Sequence, residues 1–165
     1  MTLIIEAPNE VYSIENKNNI KLFLAGGITN CSDWQSYVVS ELNSIENLTV
    51  YNPRRKNFPI NNPKAAEEQI TWEFIHLVDS TIILFWFAKG SLNPIVLFEY
   101  GAHGIFSNRP IIVGTDPEYE RKEDVIIQTK LGRPKQVIHS SIQDMIEEVK
   151  YILSECVNNI EENEE

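Results

Sequence analysis

Positive charge is in short supply in this sequence: 14 lysines and arginines stand against 24 aspartates and glutamates, for a formal net charge of −10. A surface of that sign follows neither a phosphate backbone nor an anionic bilayer. Polymeric nucleic acid and membranes are therefore excluded as partners, while a small nucleoside or nucleotide remains open to a local pocket. Cysteine is scarce as well. Cys31 and Cys156 lie far apart, have no metal-ligand spacing and form no disulfide framework, so they read as free thiols in a reducing, cytoplasmic compartment. His76, His103 and His139 are scattered, and each reads as structural or solvated, so no metal site is expected. No apolar run is long enough to cross a bilayer, and the first residues lack the basic-then-apolar pattern of a signal peptide. Glycines number seven, and the pair Gly26-Gly27 falls short of a dinucleotide fingerprint, which needs three spaced glycines and a later acid. No cofactor is expected. Ser32, Ser91 and Ser107 sit outside any nucleophile-elbow context.

What is present is a regular alternation of two patterns. Short apolar runs at 20–25, 48–51, 81–87, 110–113 and 136–139 read as strands. Between them, helical spacing covers about 33–42, 63–78, 93–106, 123–131 and 141–157, with Asn93-Pro94 as a cap and first-turn proline. Leu3-Ile4-Ile5 reads as an edge strand or a lead-in. Alternation of this kind predicts an α/β fold: one doubly wound parallel sheet of five strands, order 2-1-3-4-5, with helices on both faces. An apolar fraction of 42% supports one domain over 1–157. The acidic stretch 158–165 is expected to fray. Ligands of such sheets bind beyond the carboxyl ends of the strands, where the chain order reverses. The candidate loops are 26–33, 52–58, 88–93 and 114–119.

Two carboxylates carry the chemical argument. On the helix after the central strand, Ile95, Phe98, Ala102, Ile105 and Phe106 mark the expected buried arc, and Glu99 falls inside it with no lysine or arginine on the same helix. A core-facing carboxylate without a partner is costly unless something uses it. On the preceding helix Ile70, Phe74, Leu77 and Val78 form the expected core stripe, with Glu73 at its flank and Trp72 pointing away. An outward tryptophan is read as an interface residue, a stacking wall for a base, or a ring covered by a neighbouring loop. Arg54 and Arg55 follow the second strand at the ligand edge, where they would suit a 5′-phosphate or would simply be a solvated basic pair. Gly26 and Gly27 let the backbone come close to a ligand.

Taken in order, Phe23-Leu24-Ala25-Gly26-Gly27-Ile28 with Asp33-Trp34, Tyr51-Asn52-Pro53-Arg54-Arg55, Gln69-Ile70-Thr71-Trp72-Glu73, Ile83-Leu84-Phe85-Trp86-Phe87 and Leu97-Phe98-Glu99-Tyr100-Gly101 resemble the nucleoside 2-deoxyribosyltransferase-like family. The resemblance implies a flavodoxin-like fold, Glu99 as nucleophile within its Glu-x-Gly motif, and Glu73 as the second carboxylate, which contacts the base or helps protonate it. Substrate contacts are expected at Gly26, Gly27, Asn52, Arg54, Arg55, Trp72 and Asn93. Asn93 stands where typical members carry an aspartate that binds sugar hydroxyls, and Leu22 where some carry an aromatic residue. The implied activity is N-glycosyl transfer or hydrolysis on a nucleoside or its 5′-monophosphate, in a homodimer or larger assembly. The rival reading is a module of the same fold that binds a nucleotide without cleaving it, and Asn93 is the residue that favours it.

Overall fold

The computed structural model describes residues 1–10 and 19–161. Its centre is a wholly parallel sheet of six strands: β1 (Leu3–Glu6), β2 (Ile20–Gly26), β3 (Leu48–Asn52), β4 (Ile82–Phe87), β5 (Ile111–Thr115) and β6 (Ile138–His139). They lie in the order β1-β3-β2-β4-β5-β6. The five-strand sheet expected from sequence is corrected to six, and the order changes with it. Leu3–Glu6 pairs in register with Thr49 to Asn52 of β3 and extends that edge. Four residues with one fully buried side chain, Ile5, gave too short a pattern to separate an edge strand from a lead-in.

Strand alternation sorts the core into two layers. Phe23 and Ala25 of β2 face the same side as Phe85 and Phe87 of β4, and pack with Trp72, Leu77, Val96, Tyr100 and Val125. Leu22 and Leu24 face the other side and pack with Val38, Leu84, Met145 and Val149. Helices α2 (Ala65–Asp79), α3 (Pro94–Glu99) and α4 (Lys122–Gly132) therefore cover one face. The other is covered by α1 (Trp34–Leu42) and α5 (Ile142–Glu161). Every residue of β4 is buried, as a β-branched and aromatic run with helices on both sides requires.

The structure departs from the expected pattern at three places. First, α5 continues to Glu161, past the expected helix end at 157; no glycine or proline interrupts the run from Ile142. Residues 162–165 lie outside the described residues. Second, the buried face of α2 is Ala65, Trp72, His76 and Leu77, whereas Ile70, Phe74 and Val78 are exposed. Trp72 turns inward because its ring stacks on His76 (centroids 4.1 Å apart) and meets Tyr51 edge-on. Its indole N–H also donates to the Asn9 carbonyl. Third, the helix after β4 does not run on as α-helix. At Tyr100 it widens into a π-helix over Tyr100–Ile105. Ile95, Phe98 and Phe106 lie on the surface, and the buried positions are Val96, Glu99, Tyr100 and Gly104.

Candidate functional site

The chain order reverses between β2 and β4, which pair directly, so their carboxyl ends form the crevice where such sheets take ligands. A cavity of about 390 Å³ opens there, within the size range of small-molecule pockets. The last residue of β2, Gly26, and Gly27 after it, Glu73 of α2, and Asn93 and Glu99 from the loop after β4 and α3 line it. All five were expected at the site. Gly27 is required by the close approach itself, because a Cβ there would collide with the Asn93 side chain and Cys31 Sγ.

Glu99 is 8% exposed. Burial pushes its carboxyl up to about 8, and the charge of Glu73 adds to the effect. Burial also raises Glu73, against a hydrogen bond from Gln69 and the charge of Arg55, which both favour its ionised form. Two carboxyl groups in one apolar-walled cleft cannot both ionise cheaply, so burial and their mutual repulsion favour a proton on Glu99. The π-helix explains how Glu99 is aimed. It begins at the next residue, and its Tyr100 hydroxyl meets the Thr129 hydroxyl at 2.6 Å while the ring packs edge-on against Phe85 and Phe87. Widened helical turns of this kind occur often at functional sites. Nothing in the helical spacing signalled it beyond Gly101 and Gly104.

Asn93 is left-handed (φ 48°, ψ 50°) and makes no side-chain cap bond, contrary to its expected capping role. Its Nδ2 donates to the Ala88 carbonyl at 2.9 Å, and its Oδ1 accepts the Cys31 thiol at 3.7 Å close to Gly27. The second lone pair of Oδ1 is what the side chain keeps for a ligand hydroxyl.

Four other expected contacts stand outside the cleft. Asn52 is buried and its Oδ1 accepts the Arg54 backbone N–H. The Arg54 guanidinium is spent on the loop that walls the cavity: it donates to Gln35 Oε1 and to the Ile28 and Ser32 carbonyls, and pairs with Asp33 at 3.2 Å. Arg55 pairs with Glu68 at 2.8 Å and lies over the Phe58 ring. Trp72 is in the core. Among the described residues that line the cleft there is no lysine, arginine or histidine. One residue that sequence reasoning passed over also matters: Gln69, one turn before Glu73 on the buried side of α2, donates to Glu73 Oε1 at 2.8 Å. Its spacing of four from a carboxylate was the available signal. Among the described residues no group of histidines, cysteines and carboxylates could hold a metal, and no helix is long and apolar enough to cross a membrane.

The family model described as nucleoside 2-deoxyribosyltransferase-like matches residues 19–119, a span that contains every residue lining the cleft. No curated protein matches the chain.

Proposed function

The chain belongs to the nucleoside 2-deoxyribosyltransferase-like family, and from that premise we propose that it breaks the bond between sugar and base in a nucleoside, with Glu99 as nucleophile and Glu73 as acid. The observation that carries the reading is the buried carboxyl pair at the sheet's reversal point. Rupture of an N-glycosidic bond builds positive charge on the anomeric carbon. That charge favours the ionised form of Glu99, so at the transition state the proton belongs on Glu73. Glu99 attacks the anomeric carbon and forms a glycosyl ester. The bonding electrons leave with the base, which takes the proton from Glu73. A second base attacking the ester completes a transfer, and water completes a hydrolysis. The logic is that of a retaining glycosidase.

Asn93 Oδ1, which accepts the Cys31 thiol and has a second lone pair, suits a sugar hydroxyl, and Gly26 and Gly27 let the backbone close on the ligand. The fold is of the flavodoxin-like type with β1 as an added edge strand. The charge inventory supports a nucleoside over its 5′-monophosphate: two carboxyls line the cleft without a cation, and both nearby arginines are paired. Assembly with a second copy is supported by the large apolar side chains that α2 and α3 leave exposed: Ile70, Phe74, Val78, Ile95 and Phe98.

The test is incubation with deoxynucleosides, ribonucleosides and their monophosphates, with and without a second base, followed by chromatography. Release or exchange of base should be seen with nucleosides and vanish in Glu99→Ala. Absence of turnover across the panel, with binding still detected by thermal shift, would instead establish a binding module.

A further inference from the structure

Gln69 occupies an unusual position in the hydrogen-bond geometry of the cleft. Its Nε2 donates to two acceptors at once, the Pro53 carbonyl and Glu73 Oε1, each at 2.8 Å. Its Oε1 is buried and has no partner. The amide cannot usefully turn over. In the flipped orientation its oxygen would face the Pro53 carbonyl, which has no proton to give, and the bond to the loop after β3 would be lost. The orientation of this one side chain is thus fixed by a backbone carbonyl rather than by the state of Glu73.

The consequence falls on Glu73. An oxygen that accepts an N–H bond from a fixed donor is the unfavourable place for a proton on that carboxyl. No described residue hydrogen-bonds to the other oxygen, Oε2, and Glu73 lines the cleft. We propose that Gln69 is a positioning residue for the acid step: by holding Glu73 Oε1 as an acceptor, it directs the transferable proton to Oε2. The proposal rests on the reading of Glu73 as the acid. In the step itself, Oε2–H breaks as the C1′–N bond breaks, the base takes both the proton and the electron pair, and Glu73 is left as a carboxylate still bonded through Oε1 to Gln69. Gln69 touches neither sugar nor base and changes no bond.

A residue that acts through an acid is separated from a merely structural one by its dependence on the leaving group. The experiment uses the full chain and a series of 2′-deoxyuridines substituted at carbon 5, whose bases span a range of acidity. Gln69→Leu and the more flexible Gln69→Met keep the volume and remove the donor. Both should lose about tenfold or more on the least acidic bases, a fraction of what an acid contributes, and little on the most acidic, where less proton transfer is needed. Glu73→Gln should steepen the same plot further. Thermal melts would identify a variant that fails to fold, and the other then carries the test. Both variants slowed by one common factor across the series, or not slowed at all, would overturn the proposal while leaving the functional reading in place. Absence of wild-type turnover on every member would overturn the functional reading, and the proposal with it.

Discussion

Replacing Glu99 by glutamine should stabilise the protein, and by an amount that grows with pH. The native carboxyl holds its proton up to about 8, whereas an unfolded glutamate releases it near 4.5. Between those values the unfolded chain binds fewer protons than the native state, so wild-type stability falls as the pH rises. This penalty is absent below the lower value and complete above the upper one. Linkage between these two values gives a loss of about 2.5 kcal/mol from pH 5 to pH 7 and about 4 kcal/mol by pH 9. Glutamine keeps the shape, carries no titrating proton and escapes the loss. The difference between wild type and Glu99→Gln reads this group together with its coupling to Glu73 and cancels the remaining carboxylates. Urea denaturation at pH 5, 7 and 9, at constant ionic strength, reads it directly as a widening gap in midpoint. A gap that stays flat with pH, or a wild type that gains on the variant, would refute the claim that burial and Glu73 hold a proton on Glu99. The same substitution should abolish turnover, so stability and activity move in opposite directions at this residue.

Other measurements follow from the same geometry. Turnover should depend on pH as a bell, because one carboxyl of the pair must be ionised and the other protonated; the alkaline limb should fall near pH 8, and a rate that keeps rising to pH 10 would contradict that requirement. Arg54→Gln should cost about 1–3 kcal/mol in denaturation experiments, as it unties the Ile28 and Ser32 carbonyls, and should raise KM for nucleosides more than it lowers kcat. Phe98 is 74% exposed, so Phe98→Asp should leave the thermal melt of the isolated chain nearly unchanged while analytical ultracentrifugation shows monomer in place of a larger species. An unchanged sedimentation coefficient would remove this helix face from the interface.

The residues that were legible in the sequence and those that were not differ in the kind of physics that fixes them. The strand at 82–87 was readable because a strand buried on both faces needs no partner information: every position must be apolar. The crevice followed from the alternation of elements. Glu99 was singled out by the cost of placing a carboxylate near a core, although the arc that placed it there is exposed at Ile95 and Phe98, and Glu73 by its place in the motifs that carry the resemblance. Side-chain pairing across the fold was not readable. Arg54 and Arg55 are close in sequence to the ligand edge, but their partners, Ser32 and Glu68 among them, come from other elements. The π-helix was hidden for a related reason. A widened turn is held by Tyr100 and Thr129, which are 29 residues apart, and leaves no mark on local spacing.

The failure on the helix faces has a different origin. The apolar stripes of α2 and α3 are real, but Ile70, Phe74, Ile95 and Phe98 point away from this chain's own core. Helical periodicity records which positions avoid water, not what covers them. Each of these two helices has two apolar sectors. One is aimed at the sheet and contains Trp72 and His76 on α2, and Val96 on α3 with Tyr100 at the start of the π-helix that continues it; the other is aimed outward. The polar residues of the site sit along the boundary: Glu73 lies between Trp72 and Phe74, and Glu99 between Phe98 and Tyr100. A carboxylate at that boundary is screened from water on one side by the core. If a second copy covers the outer sector, it is screened on the other side as well, which would raise both carboxyl groups further and dry the cleft against hydrolysis. The balance between transfer and hydrolysis should in that case depend on protein concentration, with dilution that separates the copies favouring water as the acceptor. A product ratio that does not change on dilution through that range would show that each chain shields its own cleft.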